Sequence, residues 1–171
     1  MNSLFILASA IAILSTLMVI TRTNIIHGLL YLIVSFLAVA LIFYLLGAPF
    51  IAALEVIIYA GAIMVLFVFA VMVLNPEIQG GRQEMNMKQP GAWLGPAILT
   101  LVLGLELVYT FAQIGGTPTN VTSVSPQQVG AALYGPYLLG VEMASMLLLS
   151  GLVGAYHLGS GRSSNESRGG G

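Results

Sequence analysis

A chain of 171 residues with 58 % hydrophobic and 6 % charged residues, and a mean hydropathy of +0.98, lacks the polar surface a soluble domain needs; soluble domains carry about 25 % charged residues. A net charge of −1 offers no basic stripe for nucleic acid. With no cysteine and only two histidines, disulfides, iron–sulfur ligation and a Cys/His zinc site are excluded within the chain.

A spanning helix needs about 20 mostly apolar residues, because the hydrocarbon core is about 30 Å thick and each residue rises about 1.5 Å. Five stretches qualify, which predicts an all-α integral membrane protein with one transmembrane domain over residues 1–159. The first runs from about Leu4 to Ile20 and stops at Thr21-Arg22-Thr23-Asn24. Met1-Asn2-Ser3 lacks the basic region of a secretory signal, and Ala8-Ser9-Ala10, which resembles a cleavage site, lies inside the apolar run. A retained helix is therefore expected. The second runs from about Ile26 to Leu46 and stops at Gly47-Ala48-Pro49. The third runs from about Ile51 to Leu74, before Asn75-Pro76, and the fourth from about Ala92 to Ala112. In the fourth, Trp93 is suited to anchor at the headgroups and Pro96 falls in the first turn, where proline is tolerated. The fifth runs from about Pro136 to Leu158, after a half-apolar lead-in from Val129 to Tyr134 expected along the interface.

Three segments are polar. Asn75 to Gly91 is a charged loop, Gly115 to Gln128 is rich in Thr, Ser and Pro, and the tail over 160–171 is a Gly/Ser/Arg-rich segment expected to be disordered and cytoplasmic. Asn120-Val121-Thr122 matches a glycosylation acceptor, a weak motif. Every base lies after the first, third or fifth helix: Arg22, then Arg82 and Lys88, then Arg162 and Arg168. Cytoplasmic loops are the ones enriched in Lys and Arg, so the N-terminus is expected outside and the C-terminus inside.

An ionised carboxylate in the hydrocarbon core costs several kcal/mol, so such a residue is a functional candidate by default. Glu55, Glu106 and Glu142 lie in the third, fourth and fifth helices. Counted from the helix ends, all three fall roughly 6–9 Å in from the outer boundary. For Glu106, bonding to a partner helix or reaching the interface weighs equally with function; for Glu55 and Glu142 function is favoured. Glu55 and Tyr59 are four apart and share a helix face, so the phenol can donate to the carboxylate or order a water beside it. Ala60-Gly61-Ala62 removes bulk mid-helix, which suits close packing and also lowers the cost of altering the helix locally. Gly140, Ala144, Gly151 and Gly154 read as packing positions in the fifth helix, and His27 and His157 as interfacial groups at inner helix ends. There is no phosphate-binding loop and no dinucleotide fingerprint, so any enzyme role is that of a part.

The run Leu54-Glu55-Val56-Ile57-Ile58-Tyr59-Ala60-Gly61-Ala62-Ile63-Met64-Val65-Leu66-Phe67-Val68-Phe69 closely resembles the signature of subunit J of the proton-pumping NADH:quinone oxidoreductase, respiratory complex I. The likeness extends to His27-Gly28-Leu29-Leu30-Tyr31-Leu32, Gly95-Pro96-Ala97-Ile98-Leu99, Gly135-Pro136-Tyr137 and Val141-Glu142-Met143-Ala144-Ser145-Met146. It implies a third helix interrupted by a π-bulge, at a position consistent with Tyr59 to Val65, lying between the quinone-bearing part and the antiporter-like subunits. By this resemblance Glu55, Tyr59 and Glu142 contribute to a proton path, and Tyr59, Gly61, Met64, Val65 and Phe67 form a gating segment. It further implies no cofactor in this chain, a complex carrying FMN, iron–sulfur clusters and a quinone, partner subunits of the A, H, K and N types, and the bacterial cytoplasmic (inner) membrane. The family pattern gives Glu106 no role. A self-contained small-solute or ion transporter is the alternative reading, disfavoured by the lack of repeats and of a second broken helix; a scaffold that only glues helices together is the third.

Overall fold

The computed structural model describes residues 2–22, 24–74, 90–114 and 123–160. Residues 75–89 of the charged loop, the triplet Asn120-Val121-Thr122 and the tail after Ser160 lie outside the described residues. Every regular element among those described is helical, and five rods are long and apolar enough to cross a membrane.

The first two rods are α1 (Asn2–Thr21) and α2 (Ile25–Leu45). Between them Asn24 is extended, and its side-chain oxygen accepts the Ile26 N–H at 3.0 Å, which satisfies one of the orphan donors of the α2 start. α2 ends where Gly47 takes a φ of 84°, a left-handed conformation that suits glycine. The Gly47 and Ala48 N–H groups there close back onto the Tyr44 and Phe43 carbonyls. Pro49 then opens the third rod at a position where its missing N–H is no loss. That rod has three parts: α3 (Pro49–Leu54), a π-helix (Glu55–Ile63) and α4 (Met64–Leu74).

The fourth rod, α5 (Pro90–Ile114), starts earlier than its hydropathy suggests. Pro96 is consequently inside the helix rather than in its first turn, so the ladder loses one backbone donor there. The expected lead-in is a separate short helix, α6 (Pro126–Leu133), begun by a full capping box: Ser125 accepts from the Gln128 N–H, and the Gln128 side chain accepts from the Ser125 N–H. The fifth rod, α7 (Leu138–Ser160), begins two residues later than expected, after the turn through Gly135-Pro136.

The chain divides into two compact units, Met1–Val124 and Ser125–Gly171. In the first, α2 is the hub, packed against α1, the third rod and α5. Its core is Ala8 and Ile11 of α1, Val34, Ala38 and Leu41 of α2, and Leu103 of α5. Lipid is as apolar as these side chains, so association rests on close packing and on polar contacts between helices, and the two alanines let the backbones approach. One such polar contact is the 2.9 Å hydrogen bond between the Thr16 and Ser35 hydroxyls. About 44 % of the α2 span is buried but only 6 % of the third rod, so that rod is held mainly by one flank. The second unit consists of α6 and α7, whose apolar side chains point outward.

Candidate functional site

The third rod widens at its first acidic residue. Glu55 closes α3, its N–H reaching the Ala52 and Ile51 carbonyls, and the next turns are π-helical. At the far end the Met64 N–H reaches the carbonyls of Gly61 and of Tyr59, three and five residues back. Gly61 shows why the wide turn forms here. A Cβ at this position would lie 3.2 Å from the Val56 carbonyl oxygen, five residues earlier, tighter than side chains ordinarily tolerate. π-Helices are rare and concentrate at functional sites.

The position implied by the resemblance, Tyr59 to Val65, overlaps the observed π-helix but starts four residues and ends two residues too late. Gly61 admits the carbonyl that precedes it, so the widening is laid down before the glycine, over Glu55–Ile63. Of the expected gating residues, Tyr59 and Gly61 lie in the π-helix, while Met64, Val65 and Phe67 lie in the regular helix that follows. Met64 is buried to 1 % exposure and pins the start of α4; Val65 and Phe67 point outward.

Glu55 is half-buried, and among the described residues its carboxyl has no hydrogen bond to Tyr59 or to any other group. Tyr59 instead lays its ring against Phe36 of α2, with centroids 5.4 Å apart and planes tilted by 53°. Its exposure of 45 % leaves much of the phenol open on the outer side of the unit.

Glu106 differs. It is 4 % exposed, and neither carboxylate oxygen has a hydrogen-bond partner among the described residues. The carboxyl faces the backbone of Ala8. That amide sits inside the α1 ladder, so its N–H is already committed. One turn on, the Thr110 hydroxyl donates to the Glu106 carbonyl at 2.8 Å and leaves the carboxyl untouched. An apolar cavity of about 330 Å³ is lined by Ala52 and Val56 of the third rod and by Leu107 and Thr110 of α5. Residues flanking Glu55 and Glu106 thus share one level of this unit. In the second unit, Glu142 is exposed near the start of α7, and the Ser145 hydroxyl donates to its carbonyl at 2.7 Å.

Residues 15–158 match the family described as NADH-ubiquinone/plastoquinone oxidoreductase chain 6. The chain belongs to this family. It is 54 % identical to the NADH-quinone oxidoreductase subunit J of Pseudomonas aeruginosa, over 93 % of this chain and 96 % of that one. The subunit J of Escherichia coli strain K12 is 50 % identical, over 93 % of this chain and 86 % of that one. That of Buchnera aphidicola subsp. Schizaphis graminum is 45 % identical, over 93 % and 98 %.

The chain 6 family match thus covers the second, third and fourth rods in full, nearly all of the fifth, and the last third of the first. Two polar residues of this chain-6 protein were underrated by the sequence. His27, in the first turn of α2, is buried, edge-on to Trp93 with centroids 6.0 Å apart, and its Nε2 is unpartnered among the described residues. His157, in the last turn of α7, is exposed. Glu106 carried a usable signal, since Leu99, Leu103, Glu106 and Thr110 recur at helical spacing and all face inward.

Proposed function

We propose that this chain is a membrane-arm subunit of NADH:quinone oxidoreductase, complex I, and couples quinone reduction to proton translocation without a redox centre of its own. The observation that carries the reading is the π-helix, which begins at the one acidic residue of the third rod and lies within the run most specific to the family. A π-helix and an α-helix differ by the register of a few hydrogen bonds, so the same segment has two discrete arrangements. Such an element can transmit a change between distant sites. Rewinding it would re-aim Glu55 and Tyr59, and with them the access of water to the carboxyl. Tyr59 and Gly61 would be the moving residues and Met64 the fixed one; Val65 and Phe67 would then work by contact with a neighbouring subunit.

On this reading Glu55, Tyr59 and Glu142 contribute to the proton path, membrane-arm subunits of the A, H, K and N types are its neighbours, and the FMN, iron–sulfur clusters and quinone belong to the complex outside this chain. The chain would sit in the bacterial cytoplasmic membrane with its N-terminus outside and its C-terminus inside, as the placement of its bases supports.

The test is Glu55→Gln in the assembled complex. Glutamine keeps the shape and removes the titratable proton. Quinone-linked proton pumping is expected to fall several-fold while electron transfer to an artificial acceptor is retained. Equal losses in both would assign Glu55 to assembly and defeat the coupling role.

A further inference from the structure

Among the described residues, four buried polar atoms of the first unit have no partner: both carboxylate oxygens of Glu106, the hydroxyl oxygen of Ser15 and Nε2 of His27. A buried polar group left unsatisfied costs about 1–3 kcal/mol, so stability does not account for their retention. All belong to the seam where α1, α2 and α5 meet.

The polar groups follow one another along this seam. His27, Tyr31 and Ser35 are four apart on α2, so they stack on one face, and all three are buried. At the end bearing Arg22, the guanidinium lies 3.5 Å from the Tyr31 hydroxyl and 5.5 Å from the centre of its ring. The phenol runs against Gly95 of α5, where any Cβ would collide with its hydroxyl. One turn further along α2, the Ser35 hydroxyl lies 2.9 Å from that of Thr16 and 3.4 Å from the Ala12 carbonyl. Ser15 sits beside Thr16, fully buried. Glu106 enters against Ala8, one turn of α1 beyond Ala12, which is about 6 Å by the helix rise. The apolar core residues Ile11, Ala38 and Leu103 pack around this last interval.

We propose that Glu106 is a further proton-holding site of this chain, set in the seam beyond the Thr16–Ser35 pair. A proton taken up by a carboxylate oxygen of Glu106 leaves a neutral acid and no charge in the seam. The neutral acid is the form these surroundings accommodate, because an unpaired buried carboxylate is far costlier than an unpaired neutral group. α1 carries no ionisable side chain, α2 brings only His27, Tyr31 and Tyr44, and α5 adds Tyr109, so these three helices supply Glu106 with no fixed positive charge. The site uses no residue of the π-helix and stands apart from the coupling role proposed above.

Infrared difference spectroscopy of the assembled complex tests this directly. The wild type is expected to show a protonated-carboxyl C=O band that moves in heavy water and disappears in Glu106→Gln. Should glutamine prevent assembly, Glu106→Asp keeps the acid and is expected to displace the band. A band unchanged by substitution at Glu106 overturns the proposal.

Discussion

Glu55 and Glu106 are lone carboxyls on apolar rods of one unit, at one level of that unit, yet their settings are opposite. Glu106 rides on an uninterrupted α-helix against α1 and α2 and is sealed from outside. Glu55 stands where the backbone leaves α-helical geometry, on a rod that is barely buried and touches α2 along one flank. The contrast separates two needs. A packed interior is close to crystalline in density and does not deform continuously, so it can shield a group but not move it. An element that changes register must have few side chains tied down, and the third rod meets that condition except at Ala52 and Met64. Confinement and movement are thus divided between two helices.

Three substitutions bear on that division. Gly95→Val should have the largest effect, because the new side chain collides with the Tyr31 hydroxyl in the packed seam. A cost of about 3 kcal/mol follows from overpacking, and the amount of assembled complex on a native gel should drop sharply. Gly61→Ala should act at smaller scale and on the equilibrium rather than on assembly. Alanine is favoured over glycine in an α-helix by about 1 kcal/mol, and its Cβ crowds the Val56 carbonyl in the π form. The balance should shift at least about fivefold toward the α form, read as fewer protons pumped per electron at near-normal assembly. Val65→Ala, on the exposed face of α4, should change assembly least, by less than about 0.5 kcal/mol. A large assembly loss there would mean that the outer face of the rod is as constrained as the seam.

Much of this contrast was legible before the structure. Hydropathy located all five rods to within a few residues, because a bilayer demands long apolar runs whatever their packing. Glu55 stood out as a charge in such a run, and the family signature implied that its helix is interrupted. The register of the interruption was not legible. Leu54 to Phe69 is apolar almost throughout, so nothing in its periodicity marks where the turn widens, and only the Val56 carbonyl beside Gly61 reveals it. The burial of Glu106 and His27 depends on which faces α1, α2 and α5 present to one another, a tertiary property that composition does not encode. α6 is a different matter: Ser125-Pro126-Gln127-Gln128 is a capping-box pattern with proline at the first helical position, a signal present in the sequence and not used.

The central claim is that the segment after Glu55 has two backbone registers. The most direct measurement is the hydrogen-bond pattern of Glu55–Ile63 in structures of the whole complex at rest and during turnover. The account predicts a π-helix in one state and an α-helix in the other, with the Met64 N–H moving from the Tyr59 carbonyl to that of Ala60 while α2 stays unchanged. The same π-helical pattern in both states, in a complex pumping at full rate, would contradict it.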